Sequence, residues 1–351
     1  MRSPAGLHNV FGMNAIDTSG VLDEALERLH ASGPERLGRL TNHAPMVAEA
    51  LVAHGRPAAV HRWLDRYEEH LEDFPTPVAP VTDADWATAL GDPRRVADWI
   101  AYFTHALSAQ DWRSLLATWW PRLLPGMFGG STHPVIRTGH AVRALLDHEE
   151  SEPRLTELAH ALGYWAARHH PLSGVTWLPG AADADETLEA VPPIRAREGG
   201  FPTRLALVGR LPVWSGDVTG PDEARQRLAE LVRATTHRYA THGHGEATML
   251  VHAATAPNAV LRSLRALPRT LWVPSLHAAW QASAAVTAMY APEQPVAAAS
   301  PGRISAGEVL ERALAHGDEH VIKLTDTALD VGDEQALAAA LRAVELSAPL
   351  S

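Results

Sequence analysis

The stretch HAPMVAEALVAHGRPAAVHRWLDRYEEHLEDF, residues 43–74, decides the fold class. Residues 43–54 are mostly apolar and small, and they stop at Gly55, a residue type that commonly ends helices. Pro57 then opens a second helix, at the position where a missing N–H costs nothing. Beyond it Val60, Trp63, Leu64, Tyr67 and Leu71 recur at helical spacing and line one apolar face.

The same grammar continues in both directions. Thr18 or Ser19 can cap a helix through Val21, Leu22, Ala25, Leu26 and Leu29, stopped near Gly33-Pro34. Further helices are predicted over 93–108, 110–120, 133–147, 154–169, 221–241, 246–255, 257–266, 274–290, 305–316, 318–329 and 333–346. The best strand candidate, residues 205–214, is a weak one. The expectation is an all-α, multi-helix bundle forming one domain over 1–351. A long Pro/Gly-rich loop insertion at 170–220 interrupts it. Loops of that length are usually lids, binding loops or linkers. A second Pro/Ala-rich break spans 291–303.

Composition narrows the function. The chain has 351 residues, 46 % hydrophobic and 20 % charged, enough apolar material for a large core. A net charge of −11 argues against wrapping nucleic acid, which needs clustered basic charge. No basic amphipathic stretch suits a membrane surface. No segment has the length of a membrane span, and residues 1–20 carry no apolar leader. With no cysteine, disulfides, iron–sulfur clusters and thiol nucleophiles are excluded, and a cytoplasmic location is expected. Neither a GxGxxG turn after a strand nor a Walker, HExxH or GxSxG motif occurs, so no flavin or NAD fold is evident.

Two residue types stand out. There are 20 histidines, and among 30 basic residues a single lysine, Lys323. Arginine replaces lysine wherever a surface charge suffices, but not where a deprotonatable amine is required. Lys323 is therefore a candidate site residue, three positions after His320 and on the same helix face. Its alternative is a salt bridge to Asp326.

His43 opens the first helix quoted above, where Thr41 or Asn42 can cap. His133 and His140 lie two turns apart in STHPVIRTGHAVRAL, about 10.5 Å along the axis. Pro134 suits the first helical position, which puts His133 at the cap, where the chain can bend inward. His252 sits on an apolar helix, where a histidine is more often core than ligand. His54, His61, His70, His148 and His316 read as surface. Neutral imidazoles from several helices can hold a divalent metal such as Fe, Zn, Cu or Ni. They leave its charge uncompensated, and a buried neutral lysine that captures carbon dioxide as a carbamate would supply an anionic oxygen.

At NHAPMVAEAL, STHPVIRTGHAVRAL and HVIKLTD the chain resembles the questin oxidase-like family, in order from about residue 20 to 330. Its members include enzymes that oxidatively open anthraquinone-type rings in aromatic polyketide biosynthesis without a flavin fold. The resemblance implies a helical fold and a non-haem Fe(2+) site of histidines with a carboxylated lysine. By motif it points to His43, His133, His140 and Lys323, with His252 or His320 completing the set and the other standing beside it; His320 is also a candidate catalytic residue. The implied reaction is Baeyer–Villiger-like or dioxygenase cleavage of a quinone, with an aromatic polyketide and O2 as substrates. Arg137, one turn from His140, is either a catalytic-site residue that holds a substrate phenolate or carboxylate or a surface arginine. Trp177, Trp214, Trp280 and Tyr290 are candidates to stack on it, though helix-borne aromatics are usually core. Two other functions use the same residues: a metal-dependent hydrolase with zinc-activated water, and a non-enzymatic helical binding protein.

Overall fold

The computed structural model describes residues 18–298, 302 and 304–350. The N-terminal leader reading lies outside these residues, as do the side chains of Thr18 and Ser19. The long helices are α1 (Thr18–Leu29), α2 (Ala44–Ala53), α3 (Pro57–Tyr67), α4 (Val96–Ala109), α5 (Trp112–Leu123), α6 (His133–Asp147) and α7 (Glu152–Arg168). They continue as α8 (Pro221–His242), α9 (His252–Ser263), α10 (Trp272–Tyr290), α11 (Ala306–His316), α12 (Glu319–Val331) and α13 (Glu334–Leu346). Among the described residues the only paired strands form two short ribbons, β1 (Glu35–Arg36) with β2 (Leu40–Thr41), and β3 (Thr176–Leu178) with β4 (Arg210–Pro212). The protein is all-α, as its periodicity predicts.

Local chemistry sets the helix ends. The Ser305 and Glu308 side chains close a capping box at the start of α11. α11 and α12 each end at a left-handed glycine, Gly317 and Gly332, and each is followed by an aspartate, Asp318 and Asp333, that caps the next helix. Pro257 does not begin a helix, as expected from sequence, but lies inside α9. The carbonyl of Ala253 that it cannot serve accepts instead from Ser283 Oγ of α10 at 2.8 Å.

The 170–220 segment is not structureless. It holds β3, β4 and short helices at Ala184–Glu189 and Phe201–Leu205. It is moored to α10, where Trp280 Nε1 donates to Pro212 O at 2.9 Å and Ile194 N to Ala288 O at 2.9 Å. Trp214, Trp280 and Tyr290 are core residues; Trp177 is exposed.

At the centre, α6 packs against α2, α7 and α9, and α12 packs against α2 and α9. The α6–α9 crossing is close because Gly139 has no side chain. A Cβ there would stand 2.5 Å from Ala259 Cβ. Gly139→Ala is therefore expected to push the helices apart and destabilise by about 1–3 kcal/mol, the range for overpacked cores. Thermal unfolding checks this; an unchanged midpoint would mean that the crossing is slack.

Candidate metal centre

Three helices aim their N-terminal ends at one point. His43 is the residue at the start of α2, His133 is the first residue of α6, and His320 follows the Asp318 cap of α12. Asn42 Oδ1 accepts from Ala44 N at 3.0 Å, so the capping expected of Asn42 is present. Ahead of α6, Gly130, Ser131 and Thr132 all adopt left-handed backbone, with φ of 54°, 56° and 68°. Such conformations cost of order 1–3 kcal/mol for non-glycine residues and concentrate at functional sites. Gly130 has no room for a Cβ, which would meet Tyr164 Oη at 2.9 Å. This turn swings His133 inward. The turn ahead of α12 is fixed from α3, where Trp63 Nε1 donates to Gly317 O at 2.8 Å.

Four imidazoles meet there. His133 Nε2 lies 2.8 Å from His43 Nε2 and 3.0 Å from His252 Nε2. The His320 ring centre is 4.6 Å from that of His43 and 5.6 Å from that of His252. Ring nitrogens of His43, His133 and His320 all fall within 4.8 Å of one another. His133 Nδ1 donates to Gly130 O at 2.8 Å, which leaves the Nε2 lone pair facing the cluster. Both His252 and His320 stand in the cluster, His252 against His133 and His320 within the group of three mutually close ring nitrogens.

Lys323 completes it. The residue is 1 % exposed, and its Nζ has no hydrogen-bond partner. Burial lowers its pKa to about 7, against the pull of Glu319 and Asp318. Burial, and then the Lys323 charge, hold all four histidines well below their ordinary value, so the imidazoles are neutral near pH 7. Asp326 does not pair with Lys323; it is taken by Arg143, Arg262 and His54.

Two expected site residues stand elsewhere. His140 does not join the cluster: its Nδ1 binds Glu49 Oε2 at 2.6 Å, and its Nε2 lies 3.9 Å from Asp326 Oδ2. Seven residues along a straight helix, about 10.5 Å, is a long span for both histidines to share one ion. Arg137 is buried, and its guanidinium is held by Glu157 through bonds of 2.6 and 2.7 Å. Its charge is thus already paired within the protein, while Nη1 has no hydrogen-bond partner. His54, expected at the surface, is half-buried and bonded to Asp326 at 2.7 Å.

Sequence reasoning missed two carboxylates. Glu319 Oε1 lies 3.5 Å from His43 Nδ1 and 3.8 Å from His320 Nδ1, and burial raises its pKa. Glu49 is the single charged residue of α2. Burial alone would raise its carboxyl, but Arg143 and His140 hold it at about 2. A lone acid in so apolar a helix was the available signal.

The fold and cluster together define an all-α protein with a buried centre of imidazoles and one amine, whose buried histidines can hold a metal ion. Residues 40–184 match the family model described as Questin oxidase-like. The match takes in His43 and His133 and ends before His252, His320 and Lys323. No curated protein matches the chain. The family implies an oxidoreductase. Among the described residues, no helix is long and apolar enough to cross a membrane.

Proposed function

We propose that this protein is a non-haem iron oxygenase that opens a quinone or related aromatic polyketide ring with dioxygen. One observation carries the reading: four neutral imidazoles meet in the core, beside a buried amine whose charge acts on all four and which has no hydrogen-bond partner of its own. Buried polar groups are normally satisfied, and one that is not calls for an explanation such as an ion. A core assembly of histidines supplies no reason to bury an unpaired lysine, which weighs against a purely structural role.

The donor set fits a divalent metal. His43, His133, His252 and His320 would hold it through ring nitrogens, and imidazole suits iron. Iron, when bound, supplies the activation of dioxygen that insertion beside a quinone carbonyl requires. The helix ends add to the need for an anion, since three positive helix termini and four neutral ligands leave the ion's charge uncompensated. Lys323 answers it. Its neutral Nζ attacks the carbon of CO2 and releases one proton, giving a carbamate whose oxygen is an anionic ligand. Carbamate formation needs the free amine, which burial makes available near pH 7. His133 keeps its orientation through Gly130 O, and Glu319 lies within reach of His43 Nδ1.

The test joins metal analysis to dioxygen uptake with a hydroxyanthraquinone. One equivalent of iron and substrate-dependent oxygen consumption are expected. Tightly bound zinc without oxygen uptake would replace this reading with a hydrolase.

A further inference from the structure

Asp326 lies one helical turn beyond Lys323 on α12, and its carboxylate is 1 % exposed. It takes a partner from each of the other three helices that carry the imidazole cluster. Arg143 of α6 donates to Oδ1 at 2.9 Å, and Arg262 of α9 donates to Oδ2 at 2.8 Å. His54, which ends α2, binds Oδ1 at 2.7 Å. Around this carboxylate Glu49 of α2 accepts from Arg143 Nε at 2.7 Å and binds His140 at 2.6 Å.

The layer therefore repeats the membership of the cluster further along the same helices. α2 gives His43 to one and Glu49 and His54 to the other; α6 gives His133, then His140 and Arg143; α9 gives His252, then Arg262; α12 gives His320 and Lys323, then Asp326. Apolar contacts are non-directional and tolerate a small slip. A buried carboxylate does not, because losing a partner leaves a charge that is costly to bury alone. This layer is satisfied only when the four helices stand at one relative height and rotation. α12 matters most, since it carries two of the five groups in the cluster.

We propose that Asp326 is a positioning residue that holds α12 where Lys323 and His320 meet His43, His133 and His252. The proposal rests on the reading of that cluster as a metal centre.

Titration with Co(II), followed by its ligand-field absorption, separates positioning from simple stabilisation. Asp326→Asn keeps the size of the side chain and removes its charge. The matched control is Asp98→Asn, which alters another buried carboxylate, bonded to Val78 N, Ala79 N and Arg95 Nε away from the cluster. Asp326→Asn is expected to bind Co(II) about 10–100-fold more weakly, as loss of outer partners does, with a changed absorption band. Asp98→Asn is expected to lose thermal stability and keep wild-type affinity and spectrum. If Asp326→Asn behaves like the control, Asp326 is merely structural and the proposal is overturned. Should Asp326→Asn not fold, Arg262→Ala, which removes one partner at the edge of the layer, decides by the same two readouts. Failure of the wild type to bind Co(II), or equal binding by His133→Ala, would sink the metal reading itself and this proposal with it.

Discussion

Lys323→Met is expected to stabilise the metal-free protein while abolishing its function. Methionine fills the same space with a flexible apolar chain. It removes a buried amine that has no partner, a group whose burial costs about 1–3 kcal/mol. The same change removes the one group of the five, four imidazoles and an amine, that can become an anionic ligand. The loss of iron affinity should exceed the roughly 10–100-fold typical of outer partners. Stability and activity thus move in opposite directions, which no general unfolding defect produces. Lys323→Arg should fail differently, since a permanently charged guanidinium cannot be neutralised in that pocket. The pH dependence follows from the same amine. Its folded pKa, about 7, lies below the ordinary 10.5, so between these values the unfolded chain binds the extra proton. Stability of the metal-free protein should rise with pH across that window, with the full penalty present below about pH 7. Chemical denaturation at several pH values measures the slope, and Lys323→Met should remove its lysine-dependent part. A slope unchanged in that variant would assign it to other groups.

The second large effect separates two histidines on one helix. His133→Ala is expected to lose stoichiometric metal, because His133 Nε2 stands between His43 and His252. His140→Ala should retain one equivalent of metal with weakened affinity, because its ring lies in the Glu49–Asp326 layer. Metal content after gel filtration distinguishes them. The reverse result, with metal lost only in His140→Ala, would overturn the assignment of the centre.

Family resemblance grouped His133 with His140, and the reason is instructive. A motif preserves the order of residues along one helix, and both histidines belong to STHPVIRTGHAVRAL. It does not say which of two positions, two turns apart, lies level with the ends of other helices. Arg137 shows the same limit. Its partner Glu157 sits on α7, and nothing in the residues around Arg137 announces that a carboxylate twenty positions later will hold it. His252 illustrates the opposite case. On its own helix it reads as a core histidine, and it is fully buried; what makes it a candidate ligand is His133, 119 positions away in sequence.

By itself the sequence determined what short-range physics controls. The spacing of Val60, Trp63, Leu64 and Tyr67, the stop at Gly55 and the caps at Asp318 and Asp333 depend on neighbours within a few residues. It also marked Lys323, since a lone lysine among arginines is a matter of counting. Only the tertiary structure decided which imidazoles gather round that lysine. That outcome depends on the height and rotation of α2, α6, α9 and α12 relative to one another, and these are set by long-range packing and by the Asp326 layer. Periodicity within a helix carries no record of either.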